Sequence, residues 1–160
     1  MRVYTIGVYG WSAEHFITQL KEEGVQMVVD TRQRRGVRGK EYRFANSKAL
    51  QELLRQHGII YRYIKALAPS VSIRQVQKQI DKAGQVRKRD RESLSDEYIT
   101  QYEQFVLDRY DWSELEQLRE SGIQKVALLC VERNPEACHR SLIARRLQKI
   151  YGAEVHHLTP

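Results

Sequence analysis

Residues 128–140, LLCVERNPEACHR, constrain the fold more than any other stretch of the chain. An apolar run ends at Cys130, crosses Glu132 and Arg133, turns at Asn134-Pro135 and enters a helix through Cys138, His139 and Arg140. Asn134 is suited to cap that helix, Pro135 to take its first position and Glu136 to lie at its positive end. A strand that feeds a helix through so short a turn belongs in an open α/β sheet. Such folds gather ligands at the carboxyl ends of their strands, and helix N-termini offer free N–H groups to anions. Two thiols, an imidazole, a carboxylate and guanidinium groups meet at that edge, so the stretch reads as a site.

The remaining chain alternates in the same way. Residues 2–9, RVYTIGVY, read as a first strand, followed by a helix that Ser12 caps and whose apolar face is Phe16, Ile17 and Leu20. Residues 25–29 form a second strand. Asn46 or Ser47 starts a helix with Leu50, Leu53 and Leu54 inward, and residues 59–64 form a third strand. Ser70 or Ser72 opens another helix. Ser95 caps the next, whose stripe of Tyr98, Tyr102 and Phe105 reads as core, and a short helix follows Asp111. Residues 126–131 are the fourth strand, and the last helix, with Ile143, Leu147 and Ile150 inward, leads to a short strand over residues 154–158. This order predicts an α/β fold of three layers, with a mostly parallel five-stranded sheet in the order 3-2-1-4-5 and helices on both faces. It gathers Gly7, Asp30 and Cys130 along one edge. The chain is expected to form one domain over residues 1–160, with a basic, mobile excursion around residues 83–93. Two cysteines, both inside the motif, and no apolar run of about 18 residues or signal-like start predict a soluble, cytoplasmic protein without a disulfide framework.

The balance of 27 Lys+Arg against 20 Asp+Glu gives a net charge of +7, which favours polyanionic partners. Six of the cations are Arg32, Arg34, Arg35, Arg38, Lys40 and Arg43, interrupted by Gly36 and Gly39 and trailed by Tyr42 and Phe44. Arginine forks on a glycine-bearing loop suit bidentate phosphate contacts, and aromatic rings can stack on bases. The competing reading is a solvated charged loop. The candidate substrate- or anion-binding residues are Gly7, Tyr9, Asp30, Arg32, Arg35, Arg43 and Arg140. Arg140 is the foremost of them, as an anion clamp, its alternative being an ion pair with Glu132 or Asp30. Asp30 has an alternative of its own, a carboxylate that ties Arg32 in place.

The candidate catalytic residues are Glu132, Cys138 and His139. A cysteine at a helix N-terminus beside cations has a lowered pKa, the condition for a nucleophilic thiolate. Cys130, ending an apolar strand, reads as a buried, inert thiol. His139 precedes Ile143 by four residues and so faces inward. A phosphatase cradle, in which Arg follows Cys by six residues, is absent, because positions 136 and 144 are Glu and Ala. No cofactor and no metal ligand is predicted. The alternative, zinc on Cys130, Cys138 and His139, lacks a close cysteine pair and an obvious fourth ligand.

The pattern C-x-E-x-x-P-x-x-C-H-R, with Thr5-Ile6-Gly7 and Asp30-Thr31-Arg32, resembles the bacterial and archaeal family called domain of unknown function 488. The resemblance runs from Thr5 to about His157. Two departures stand out: the family's Thr-Ile-Gly-His ends in Val8 here, and its Asp-Val-Arg has Thr31 at the centre. The resemblance implies a fold and a residue list, and no activity. The function expected is an enzyme acting on a phosphorylated substrate, a nucleotide or a nucleic acid, at the carboxyl ends of the strands. The alternative is a non-catalytic nucleic-acid-binding module in which Tyr42 and Phe44 stack on bases. The partners expected are therefore a phosphorylated small molecule or a nucleic acid and no membrane, with the oligomeric state open.

Overall fold

Alternation along the strands decides the layering, because successive side chains of a strand point to opposite faces. The computed structural model describes residues 1–160. Its sheet is built from β1 (Arg2–Ile6), β2 (Met27–Asp30), β3 (Ile60–Tyr63), β4 (Lys125–Leu129) and β5 (Glu154–Leu158), and every pairing is parallel. Val3, Met27, Val29, Val126 and Leu128 face one core, shared with α3 (Val71–Ala83), α4 (Asp96–Tyr102), α5 (Ser113–Glu120) and α6 (His139–Tyr151). Tyr4, Ile6, Val28, Ala127 and Leu129 face the other, under α1 (Ala13–Glu22) and α2 (Ser47–Gln56). Each buried Val, Leu, Ile and Met among them contributes roughly 1.5–3 kcal/mol, enough to make the sheet a rigid platform.

The strand order is β3-β2-β4-β1-β5, which corrects the expected 3-2-1-4-5. The physical reason lies in which strand tolerates burial on both faces and both edges. β4 is buried from Val126 onward, whereas β3 and β5 alternate with exposed residues and take the edges. β4 therefore inserts between β1 and β2, with Val126 opposite both Val3 and Met27. As a result the turn after β4 is flanked on one side by the end of β1 and on the other by Asp30 and Thr31.

The side chains of Ser12, Ser70 and Ser95 accept the N–H groups of His15, Ile73 and Tyr98, and so cap α1, α3 and α4 as their positions predict. Asn46 does not cap α2 with its side chain. Its Oδ1 accepts Val37 N–H at 2.8 Å and pins the basic loop instead. The aromatic stripe holds for Tyr98 and Tyr102, which are buried, but not for Phe105, which is 45% exposed. A π-helical turn, Glu103–Leu107, follows α4 and shifts the helical register, so that Val106 and Leu107 face inward in its place.

Candidate active site

The loop after β4 is fixed by backbone hydrogen bonds to its neighbours. Cys130 N–H donates to Ile6 O at 3.1 Å, and the N–H groups of Val8 and Tyr9 both donate to Val131 O at 3.0 Å. Glu132 then crosses Gly7 so closely that a Cβ on Gly7 would lie 1.8 Å from the Glu132 carbonyl oxygen. Gly7 thus makes room for the chain's own backbone, which replaces the expected contact with a ligand. Gly7→Ala is expected to destabilise the protein by about 3 kcal/mol or more, since backbone and not a flexible side chain must move. At roughly 2–4 °C per kcal/mol for a chain of this size, the melting temperature should fall by about 6 °C at least, measured by thermal unfolding. An unchanged melting temperature would mean that the crossing is looser than described.

Asn134 and Pro135 start a helix, but a short one. Asn134 Oδ1 accepts Glu136 N–H, and only a 3-10 turn, Pro135–Ala137, follows. Cys138 is extended (φ −142, ψ 145) and is itself the N-cap of α6, which corrects its expected place within the first turns. This break swings the Cys138 thiol beside its neighbours. His139 Nδ1 lies 3.7 Å from Cys138 Sγ and 3.6 Å from Cys130 Sγ. On the far side of the ring, Nε2 lies 2.9 Å from Thr31 O and 3.0 Å from Thr31 Oγ1. A carbonyl only accepts, so Nε2 carries a proton and Nδ1 faces the two sulfurs; burial pulls the imidazole pKa down, but Cys138 outweighs it and holds it above the usual histidine range. The Tyr102 ring, 5.5 Å away, packs against the imidazole.

Cys130 is not an isolated core thiol, because its Sγ donates to Glu132 Oε2 at 3.2 Å. Glu132 Oε1 accepts from Lys88 at 3.3 Å and from Arg91 at 3.2 Å, and Arg91 is also paired with Asp81 at 2.8 Å. Burial pushes the Glu132 carboxyl up, but Lys88 and Arg91 outweigh it and hold it at about 2. Glu132 is therefore an ionised carboxylate in a site from which water is largely excluded. Burial also pushes Cys138 up, yet the Cys130 thiol, His139 and Arg140 together hold it well below the usual thiol range. Cys130 is raised well above that range, by burial first and then by Cys138.

Above this floor opens a cleft of about 720 Å³. Its walls carry Tyr9, Arg34 and Arg38 from the segments after β1 and β2, Lys78 and Lys82 from α3, and Arg89 from the basic excursion. These five cations are exposed, and none enters an ion pair. Tyr9 packs on Tyr42 with ring centroids 5.3 Å apart, and the Arg89 guanidinium lies 5.7 Å from the Tyr9 ring.

Of the residues singled out in the sequence, Tyr9, Glu132, Cys138 and His139 are brought together around the cleft. Arg140 is fully buried and donates to Glu132 O at 2.6 Å and Arg133 O at 3.1 Å. It pairs with neither of the carboxylates considered for it. Instead of reaching the cleft it fixes the loop that carries Glu132. Asp30 and Arg32 are buried in each other: Arg32 Nε donates to Asp30 Oδ1 at 2.9 Å and Nη2 to Oδ2 at 2.8 Å. Arg35 stacks over Tyr63, 4.1 Å from the ring centroid, and Arg43 is exposed on the 3-10 turn Lys40–Ala45, so neither lines the cleft. Thr31, Lys88, Arg91, Lys78 and Lys82 were not among the candidates. The spacing of Arg74, Lys78 and Lys82 at four-residue intervals was a usable signal, because it places three cations on one helix face.

Cys130, Cys138 and His139 offer ligand atoms that all lie within 4.8 Å of one another, a set that can hold a metal ion. The fold and this floor define an α/β protein with a cysteine–histidine–glutamate centre between the ends of three parallel strands. The chain belongs to the family described as Domain of unknown function DUF488, which matches residues 12–147. No curated protein and no solved structure matches it. No helix is long and apolar enough to cross a membrane.

Proposed function

We propose that the protein is an enzyme acting on a phosphorylated substrate, a nucleotide or a nucleic acid, bound in the cationic cleft. The observation that carries this reading is the vertical arrangement of the cleft, with unpaired cations on its walls and Glu132, Cys138 and His139 converging at its floor. A module that only binds needs the walls. It gains nothing from a buried carboxylate, whose desolvation costs several kcal/mol before Lys88 and Arg91 offset it. The cleft volume falls in the range of about 300–1,000 Å³ typical of small-molecule sites and suits one nucleotide or a short stretch of a strand. Arg34, Arg38, Lys78 and Lys82 hold phosphate oxygens, and Tyr9 offers a ring face to a base. Cys138, His139 and Glu132 supply the reacting and proton-handling groups.

The walls can be tested apart from the floor. Replacing Arg34, Arg38 and Lys78 together by Gln should flatten the salt dependence of nucleic-acid retention by roughly 2–3 units of log–log slope, because each phosphate contact contributes about 0.7–0.9. Binding of a short single strand at two salt concentrations reads this out. A slope equal to the parent's would mean that these cations are solvated surface and the ligand assignment is wrong.

A further inference from the structure

We propose that Cys130, Cys138 and His139 bind one zinc ion at the floor of the cleft, with a fourth coordination position open toward the cleft. The proposal rests on the reading of that floor as a reactive centre and adds the cofactor to it. Its first support is distance. Tetrahedral zinc with Zn–S near 2.3 Å and Zn–N near 2.0–2.1 Å requires an S···N edge of about 3.6 Å. His139 Nδ1 lies 3.6 Å from Cys130 Sγ and 3.7 Å from Cys138 Sγ, which matches both S···N edges. The two sulfurs lie within 4.8 Å of each other, so they need draw together by at most about 1 Å to reach the tetrahedral S···S edge of about 3.8 Å.

The second support is orientation. The Nε2–H bond to Thr31 O at 2.9 Å leaves Nδ1 as the nitrogen facing the two sulfurs, and metal-bound imidazoles are generally held by such an outer hydrogen bond from the other nitrogen. The third is the donor set. Once a bound metal displaces their protons, two thiolates and a neutral imidazole match the soft and borderline ions and would neutralise a divalent charge, while Glu132 keeps its own balance with Lys88 and Arg91. The three donors all border the cleft, which leaves the remaining position facing a water or a substrate oxygen. Three protein ligands with one open position is the arrangement of catalytic zinc, whereas structural sites close all four. Glu132 Oε2, 3.2 Å from Cys130 Sγ, is close enough to orient whatever occupies the open position.

The test uses the full chain stripped of metal and titrated with Co²⁺ alone. One equivalent should bind, with thiolate-to-cobalt charge-transfer absorption and the visible bands of a tetrahedral ion. Cys130→Ser, Cys138→Ser and His139→Ala should each lower the affinity by more than the ~10–100-fold that loss of an outer hydrogen-bond partner costs. Circular dichroism shows which variants fold, and the parent's spectrum decides the question even if none does. No charge-transfer band in the parent, or a band of undiminished intensity and affinity in both cysteine variants, would overturn the site. A cobalt spectrum without turnover of any phosphorylated substrate supports the metal site and overturns the enzyme reading alone. Turnover without a cobalt spectrum overturns the metal site alone.

Discussion

Asp30→Ala is expected to lower stability by about 3–5 kcal/mol, because it strands a buried guanidinium without its partner. Arg32 is only 1% exposed, and its fork grips Asp30 through Nε and Nη2 while Nη1 donates to Ala45 O at 2.8 Å. Tyr61 Oη adds a fourth tie by donating to Asp30 Oδ2 at 2.7 Å. The cluster joins the end of β2 to the 3-10 turn before α2 and to β3, so its loss loosens one side of the sheet. At roughly 2–4 °C per kcal/mol the melting temperature should fall by about 6–20 °C. Asp30→Ala combined with Arg32→Met should recover much of this, since a buried pair replaced by apolar groups is often neutral. Arg43→Gln, on the exposed turn, should stay within about 0.5 kcal/mol of the parent. A loss below about 1 kcal/mol for Asp30→Ala would mean that the pair is not the structural tie described here.

Glu132→Gln carries the second large effect, and it falls on turnover. The substitution keeps the size of the side chain while removing the charge that Lys88 and Arg91 neutralise. A group that handles protons or orients the attacking atom contributes about 10²–10⁴-fold, so kcat should fall by that range. Substrate binding should change little, because Glu132 faces the floor and not the cationic walls. The Arg34, Arg38 and Lys78 variant should do the reverse, raising KM with kcat largely kept, the signature of lost uniform binding. Steady-state kinetics on both variants gives the comparison. A Glu132→Gln protein with the parent's kcat would remove the carboxylate from the reaction.

Much of this architecture could be read from the chain. The five strands, the serine caps at Ser12, Ser70 and Ser95 and the layering of helices on both faces follow from alternation and capping chemistry, which are local. The strand order is not local. It depends on which strand tolerates complete burial, and the apolar run of β4 beside Cys130 was a better guide than the sequence of connections. The site was half visible for a similar reason. Cys138, His139 and Glu132 stood out because reactive side chains rarely cluster in one turn. Arg32 and Arg140 stood out equally, yet they are buried ties, because whether a guanidinium meets solvent or a carbonyl oxygen is decided by distant backbone. Cys130 and Cys138, eight positions apart, match no close-pair metal pattern. They meet only because the chain breaks into an extended residue at Cys138 before α6 begins. Arg91 lies within the excursion expected to be mobile, yet it is held by Asp81 and Glu132, partners that the sequence places 10 and 41 residues away.

Turnover by the parent protein on a panel of phosphorylated compounds tests the central claim most directly. The panel comprises a phenyl phosphate ester, nucleoside mono-, di- and triphosphates, and short single-stranded DNA and RNA, with products separated by chromatography. Saturable turnover of at least one class is expected, inhibited competitively by inorganic phosphate or polyphosphate and lost in Glu132→Gln. Salt-sensitive binding of the strands with no product from any compound would contradict it, and would leave a protein whose cationic cleft binds nucleic acid without chemistry.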